Sequence, residues 1–77
     1  MAKASRAKKD SVYRITELVG TSTNSWEEAA ANAVETAAQT LRDIRIAEIT
    51  KLDMVVGDDG KVGAFRARVN LSFKYEK

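Results

Sequence analysis

The sequence predicts an α+β fold in which one helix packs on a three-stranded, mainly antiparallel sheet, in the chain order β-α-β-β. Three patterns predict this class. Polar and apolar residues alternate over residues 64–75, an alanine-rich amphipathic segment begins at Trp26, and a Gly-Asp-Asp-Gly turn occupies residues 57–60. These patterns, with one β-branched segment before the helix, account for nearly all of the chain beyond residue 10.

The composition indicates one small domain without chemistry based on cysteine or histidine. The chain has 77 residues, no cysteine and no histidine, which excludes disulfides, zinc-thiolate sites, cysteine nucleophiles and the usual acid–base residue of hydrolases. Small domains need disulfides, metals or partners for stability. Partners are therefore the expected stabiliser, and the folded domain is predicted to span residues 11–77.

Residues 1–10 are predicted to form a disordered basic tail. They carry four basic residues and one acidic residue, a net charge of +3, whereas the whole chain carries +2 and the remainder therefore −1. A nearly neutral folded part does not favour a nucleic-acid partner. No apolar run approaches the length of a membrane span, and the start of the chain has no apolar signal segment. We expect no membrane association and a cytoplasmic location.

The first strand and the helix follow the tail. Residues 12–19 are rich in β-branched and aromatic side chains and end at Gly20, which predicts a strand. Ser25 and Glu28 have the spacing of a capping box, so a helix is expected to begin at Trp26. It is predicted to continue to Arg42, because apolar residues recur at helical spacing, namely Trp26, Ala29, Ala30, Ala33, Val34, Ala37, Ala38 and Leu41.

Two long strands are predicted after the helix. Residues 44–56 alternate imperfectly, since Glu48 and Thr50 interrupt the apolar parity. Either a bulge shifts the register or the two halves of this strand are buried differently. The turn at residues 57–60 predicts a hairpin, and the third strand follows from Val62.

The third strand has one apolar and one polar face. The apolar side chains are Phe65, Ala67, Val69, Leu71, Phe73 and Tyr75, and the polar ones are Arg66, Arg68, Asn70, Ser72 and Lys74. The twelve residues 64–75 reach about 40 Å, whereas a helix of about seventeen residues spans about 26 Å. Because the helix is shorter than the strands that it covers, the sequence indicates assembly with further copies.

Several short blocks resemble the dodecin family. The blocks are Val19-Gly20-Thr21-Ser22, Ser25-Trp26-Glu27-Glu28-Ala29-Ala30, Ala33-Val34-Glu35-Thr36-Ala37-Ala38 and Leu71-Ser72-Phe73-Lys74-Tyr75-Glu76. The resemblance covers about Val12 to Glu76. It implies the strand–helix–strand–strand order and a hollow homododecamer, with helices outside and sheets inside.

The resemblance also implies a flavin site, from which this chain departs twice. Flavin-binding dodecins sandwich paired flavins between tryptophans of the second strand, and a glutamine of the third strand bonds to the ring. Ile46 stands at the tryptophan position and Arg66 at the glutamine position. Isoleucine offers no ring to stack, and arginine has no acceptor oxygen. We therefore expect weak binding of riboflavin, FMN or FAD.

Charged residues supply the remaining site candidates. Arg66 and Arg68 would suit a phosphate-bearing ligand or would neutralise Glu17, Glu48 or Asp53 of a neighbour. Glu48 is expected to pair with Arg45, Arg66 or Arg68 across a subunit contact. Asp53, Asp58 and Asp59 are weak calcium candidates, although a turn also favours Asp58-Asp59.

An enzyme is not expected, since the sequence has no glycine-rich phosphate loop and no nucleophile motif. Three hypotheses stay open. They are a dodecin-like shell that binds or sequesters a small ligand such as a flavin, a dodecin-like shell that binds calcium, and a purely structural assembly.

Overall fold

The structure, a computed structural model, describes residues 12–74. Its elements are β1 (Tyr13–Ser22), α1 (Trp26–Ala37), β2 (Ile44–Val56) and β3 (Val62–Lys74). The strands form one antiparallel sheet in the order β1-β3-β2, with α1 on one side. The predicted α+β class, the β-α-β-β order and the hairpin are therefore confirmed, and the tail predicted for residues 1–10 lies outside the described residues.

Strand β1 continues past the glycine at which it was predicted to end. Gly20 lies inside the strand, opposite Ala67 of β3, and is buried. A Cβ atom built on Gly20 would lie 1.9 Å from the backbone oxygen of Ala29. The glycine is thus needed because the helix backbone crosses directly over the strand at this point.

The helix begins where the sequence predicted. The Ser25 side chain accepts a hydrogen bond from the Glu28 backbone N–H at 3.0 Å, which is the expected N-cap. The second bond of a capping box, from the Ser25 backbone N–H to the Glu28 side chain, is replaced by other hydrogen bonds. The Glu28 carboxylate accepts hydrogen bonds from the Ser22 hydroxyl and the Asn24 amide, while the Ser25 N–H donates to Ser22 Oγ at 3.3 Å.

The predicted helix end at Arg42 is wrong, since α1 ends at Ala37. The Thr40 and Leu41 N–H groups both donate to the Ala37 carbonyl, which makes a tight turn. Asp43 then takes a positive φ of 59°, and the chain reverses so that Ile44 pairs with Phe73 of β3. Leu41 still packs against the core from this turn, which explains why its helical spacing was misleading.

Strand β2 carries the bulges that its interrupted alternation suggested. Its register with β3 shifts between Ile44 and Ile46, between Ile49 and Lys51, and between Val55 and Val56. Of the two interpretations of this strand, a shifted register is therefore confirmed. The shifts turn Ile44, Ala47, Ile49, Leu52 and Met54 to the side of the sheet that bears the helix.

The core lies between the alanine stripe of α1 and the apolar face of β3. It consists of Ala29, Ala33 and Ala37 with Ala67, Val69 and Leu71. This agrees with the predicted stripe and with the predicted alternation. The described chain is elongated, 62 × 22 × 15 Å, because the hairpin of β2 and β3 is much longer than the helix.

Candidate functional site

The side of the sheet away from the helix, called here the open face, carries most of the predicted site residues. Side chains alternate between the two sides of a sheet, so the register assigns them. The open face comprises Tyr13, Ile15, Glu17, Val19 and Thr21 of β1, Ile46, Glu48, Lys51, Asp53 and Val55 of β2, and Arg66, Arg68, Asn70, Ser72 and Lys74 of β3. It mixes charges with exposed apolar groups.

The best-defined interaction on the open face joins Arg66 to Asp53. These residues are cross-strand partners, and Arg66 Nε and Nη2 donate to Asp53 Oδ1 and Oδ2 at 2.7 Å each. The bonds from Arg66 lower the pKa of the Asp53 carboxyl, and the same carboxylate raises the pKa of Arg66. The geometry is the parallel fork that arginine makes with carboxylates, so both groups stay ionised at neutral pH.

The chain's single tryptophan fixes the backbone behind this ion pair. The indole Nε1–H of Trp26 donates to the Asp53 carbonyl oxygen at 3.0 Å. The indole also packs edge-on against Phe65, with ring centroids 5.1 Å apart. Trp26 thus connects the start of the helix to the open face through the sheet, and its fluorescence can report on events at Asp53.

Cationic side chains extend from the ion pair along the sheet. Lys51 lies opposite Arg68, the next cross-strand pair on the open face. Arg68 Nε lies 4.0 Å from the Glu17 carboxylate, at the limit of an ion pair. Two cross-strand pairs that are adjacent on this face therefore bring Lys51, Arg66 and Arg68 together. Asp53 is the carboxylate at hydrogen-bond distance from one of these cations, Arg66.

Ile46 lies on the same face but far from Arg66. Its cross-strand partner is Ser72, six residues along β3 from Arg66, which corresponds to about 20 Å. The Ile46 side chain is exposed in the described chain, like Ile15 on β1. One chain therefore does not bring together the two positions that the sequence resemblance assigns to a flavin site.

The sequence left open which partners Glu48 and Arg45 contact. Glu48 lies opposite Asn70, and within residues 12–74 no ion pair joins it to an arginine. Arg45 lies in the first bulge of β2 and comes within 4.0 Å of Asp43. A pairing of Glu48 across a subunit contact stays a prediction.

The three aspartates named as weak calcium candidates have other partners or positions. Asp53 is committed to Arg66. Asp59 Oδ1 accepts from the Lys61 N–H at 3.0 Å in the hairpin turn, where Asp58 also lies. In the part of the chain that the structure describes, no three acidic side chains come together in a way that would hold a metal ion.

The groove between β1 and α1 has none of this chemistry. It has a volume of about 450 Å³ and is lined by uncharged residues such as Leu18, Asn32 and Thr36. Along residues 12–74, the one helix is too short and too polar to cross a membrane. The charged open face is therefore the stronger candidate for a ligand site.

Comparison with known proteins identifies the family. The sequence matches the dodecin family over residues 12–76. The chain belongs to the dodecin family. It is 44% identical over 64 residues to calcium dodecin of Mycobacterium tuberculosis, a match that covers 83% of this chain and 89% of that protein.

Solved dodecin structures share the fold. The dodecin of Streptomyces coelicolor superposes with a TM-score of 0.81 at 37% identity, covering 88% of this chain and 96% of that one. The crystal structure of the calcium-chelating antigen calcium dodecin from M. tuberculosis gives a TM-score of 0.76 at 42% identity, covering 86% and 93%. The predicted family is therefore confirmed.

Sequence reasoning missed the direct bond between Arg66 and Asp53 within one chain. The sequence offered a contact of these groups between neighbouring chains only as one alternative, beside the binding of a phosphate-bearing ligand by Arg66 and Arg68. A signal was available, because both residues lie near the predicted hairpin. It was ambiguous, because the bulge between Val55 and Val56 decides whether Asp53 faces Arg66.

Proposed function

We propose that this dodecin forms a homododecameric shell that binds or sequesters a small ligand on the open faces of its sheets, and that its role is binding rather than catalysis. The observation that carries the proposal is the open face itself. It places exposed apolar groups such as Ile15 and Ile46 on the same face as ionised side chains such as Asp53 and Arg66. Such a mixture is typical of ligand and partner surfaces.

The spacing of the candidate residues supports a site shared between chains. Ile46 and Arg66 of one chain are about 20 Å apart along the sheet, farther than one flavin ring system reaches. A ligand that contacts both positions would therefore take Ile46 from one protomer and Arg66 from another. An assembly of several copies is the simplest arrangement that provides this, and the dodecamer is the form we propose.

Flavin fits this site poorly. Ile46 offers no aromatic face, and the loss of a stacking partner costs about 1 kcal/mol per contact. Arg66 is held by both carboxylate oxygens of Asp53 and presents no acceptor to a flavin ring. We propose that flavin, the ligand implied by the sequence resemblance, binds weakly.

Sedimentation and flavin titration test this proposal. We expect a species of about twelve times the 8.5 kDa chain and weak quenching of riboflavin fluorescence. The double variant Ile46→Trp with Arg66→Gln should quench more strongly, with each single variant as its control. A monomer or dimer at micromolar concentration, or tight quenching by the unchanged protein, would contradict the proposal.

Calcium is the second candidate, because a relative with 44% identity is named calcium dodecin. Since no acidic trio forms within residues 12–74, calcium would need carboxylates such as Glu48, Asp58 or Asp59 from more than one chain. Calcium that binds the folded form raises its melting temperature. A rise with CaCl₂ that MgCl₂ does not reproduce would favour calcium, and no shift with calcium or flavin would favour a structural shell. A cytoplasmic location stays a proposal.

A further inference from the structure

We propose that Asp53 is a specificity-determining residue of the open face: by holding Arg66, it makes the face discriminate against phosphate-bearing ligands. This inference rests on the proposed ligand-binding function and names the ligand class that the site refuses. It follows from the bidentate geometry, from the cations around the pair and from the way in which Asp53 is anchored.

The geometry removes Arg66 from the set of available anion-binding groups. Two of its donor atoms, Nε and Nη2, are both bonded to Asp53 at 2.7 Å. This is the edge that guanidinium groups also use to bind phosphate in a fork. A phosphate that approached Arg66 would have to displace the carboxylate or bind through the remaining donors beside a negative charge.

The surroundings would otherwise form a cationic site. Lys51 and Arg68 form the cross-strand pair next to Arg66 on the same face. Arg68 is only loosely opposed by Glu17, at 4.0 Å. Three cations in two adjacent cross-strand pairs form a suitable site for an anion. Asp53 is the group that neutralises one of them, Arg66.

Asp53 is also held in place from behind. The Trp26 indole donates to its backbone carbonyl at 3.0 Å, and its register opposite Arg66 follows a β-bulge in β2. The carboxylate is therefore positioned by two features besides the ion pair itself. A preorganised partner is harder for a competing anion to displace than a mobile one.

Calorimetric titration with inorganic phosphate tests the inference. Replacement Asp53→Asn keeps the side-chain shape and one acceptor oxygen while removing the charge. We expect it to tighten phosphate binding by about tenfold, since it exposes a charge-assisted binding edge. The gain should shrink as the ionic strength rises. Adding Arg66→Gln to Asp53→Asn should abolish it.

Glu48→Gln is the matched control. It removes one negative charge from the same face, at a position opposite Asn70 that has no arginine partner within residues 12–74. If Glu48→Gln tightens phosphate binding as much as Asp53→Asn does, the effect is one of overall charge and the inference is wrong. The same holds if Asp53→Asn binds phosphate no better than the unchanged protein.

Comparison of FMN with riboflavin gives a test that needs no variant. The two differ by one phosphate, so we expect the unchanged protein to bind FMN no more tightly than riboflavin. A preference for FMN of about tenfold or more would overturn the inference even if Asp53→Asn failed to fold. If neither flavin binds, the flavin part of the proposed function fails, while the phosphate titration still decides the role of Asp53.

Discussion

On the side of the sheet that bears the helix, the neighbouring strands β3 and β2 differ in how deeply their side chains are buried. On the helix side of β3, Ala67, Val69 and Leu71 are completely buried. Their cross-strand partners on β2 include Leu52 and Ile49, which are 49% and 50% exposed. The difference shows that one chain completes the core of two strands and leaves an apolar strip of the third strand uncovered.

The geometry of the helix explains the difference. Helix α1 has twelve residues and spans about 18 Å, whereas thirteen-residue strands such as β2 span about 44 Å. The stripe that it buries is alanine, so it packs close to the sheet but covers little width. Its close approach at Gly20 places it over β1 and β3 and away from β2. We expect a second copy to cover Leu52 and Ile49.

The substitution Gly20→Ala should have the largest effect on the covered region. Its Cβ would lie 1.9 Å from the Ala29 oxygen, so the helix must move off the sheet. We expect a loss of more than about 4 kcal/mol in the free energy of unfolding, measured by urea denaturation, and a failure to assemble.

Gly63→Ala provides the matched control in the uncovered hairpin. A Cβ there meets only the Val55 oxygen at 3.7 Å, an ordinary contact. We expect a change within about 0.5 kcal/mol. Equal losses for the two variants would contradict the close approach of α1.

A pair of leucine substitutions tests the comparison directly. Leu71→Ala removes a fully buried side chain and should cost about 3 kcal/mol at any protein concentration. Leu52→Ala removes a half-exposed one, and its cost should appear as dissociation of the proposed assembly on dilution. Unfolding and sedimentation over a range of concentrations distinguish the two. If Leu52→Ala leaves the assembly unchanged, a neighbouring copy does not cover this strip.

Ser25→Ala should have a moderate effect at the start of the helix. The Ser25 side chain is the N-cap acceptor for the Glu28 N–H, and loss of such a cap costs about 1 kcal/mol. Thermal unfolding measures it, with Thr23→Ala as a control at an exposed loop position. A loss equal to that of the control would show that Ser22 supplies the cap instead.

The smallest expected effect is the loss of stability in acid, which depends on the carboxylates of Glu28 at the helix start and Asp53 on the open face. Hydrogen bonds from Ser22 and Asn24 lower the pKa of Glu28, and bonds from Arg66 lower the pKa of Asp53. A carboxyl whose pKa is lower in the folded state stabilises it above its unfolded pKa and stops doing so as pH falls through the folded value. The stability advantage of the unchanged protein over Glu28→Gln and Asp53→Asn should therefore begin to decline near pH 4, where the unfolded carboxyls titrate, and be lost at lower pH as the folded carboxyls are protonated.

Ionic strength distinguishes the contributions of these two carboxylates. The partners of Glu28 are neutral, whereas the partner of Asp53 is a cation. At neutral pH, high salt should reduce the advantage over Asp53→Asn more than the advantage over Glu28→Gln. Melting temperatures at low and high ionic strength check this, and equal sensitivity would contradict the assigned partners.

Local patterns in the sequence were sufficient for the elements. The alternation of β3, the Ser25 cap, the alanine stripe and the hairpin turn all act over a few residues, and each appears where it was predicted. The helix end was not predictable in this way. Leu41 continues the apolar spacing, but the pairing of Ile44 with Phe73 requires the chain to turn back earlier.

The candidate site depended on contacts between distant residues. The alternation of the sequence predicted that Arg66 lies on a polar strand face, and the family resemblance implied that Ile46 stands where flavin-binding dodecins have a tryptophan. Only the tertiary structure decided that Asp53 faces Arg66, because an unbroken register from the pair Val56–Val62 would place Phe65 opposite Asp53. A one-residue bulge reverses the side to which every following residue points, and its position depends on packing across the whole sheet.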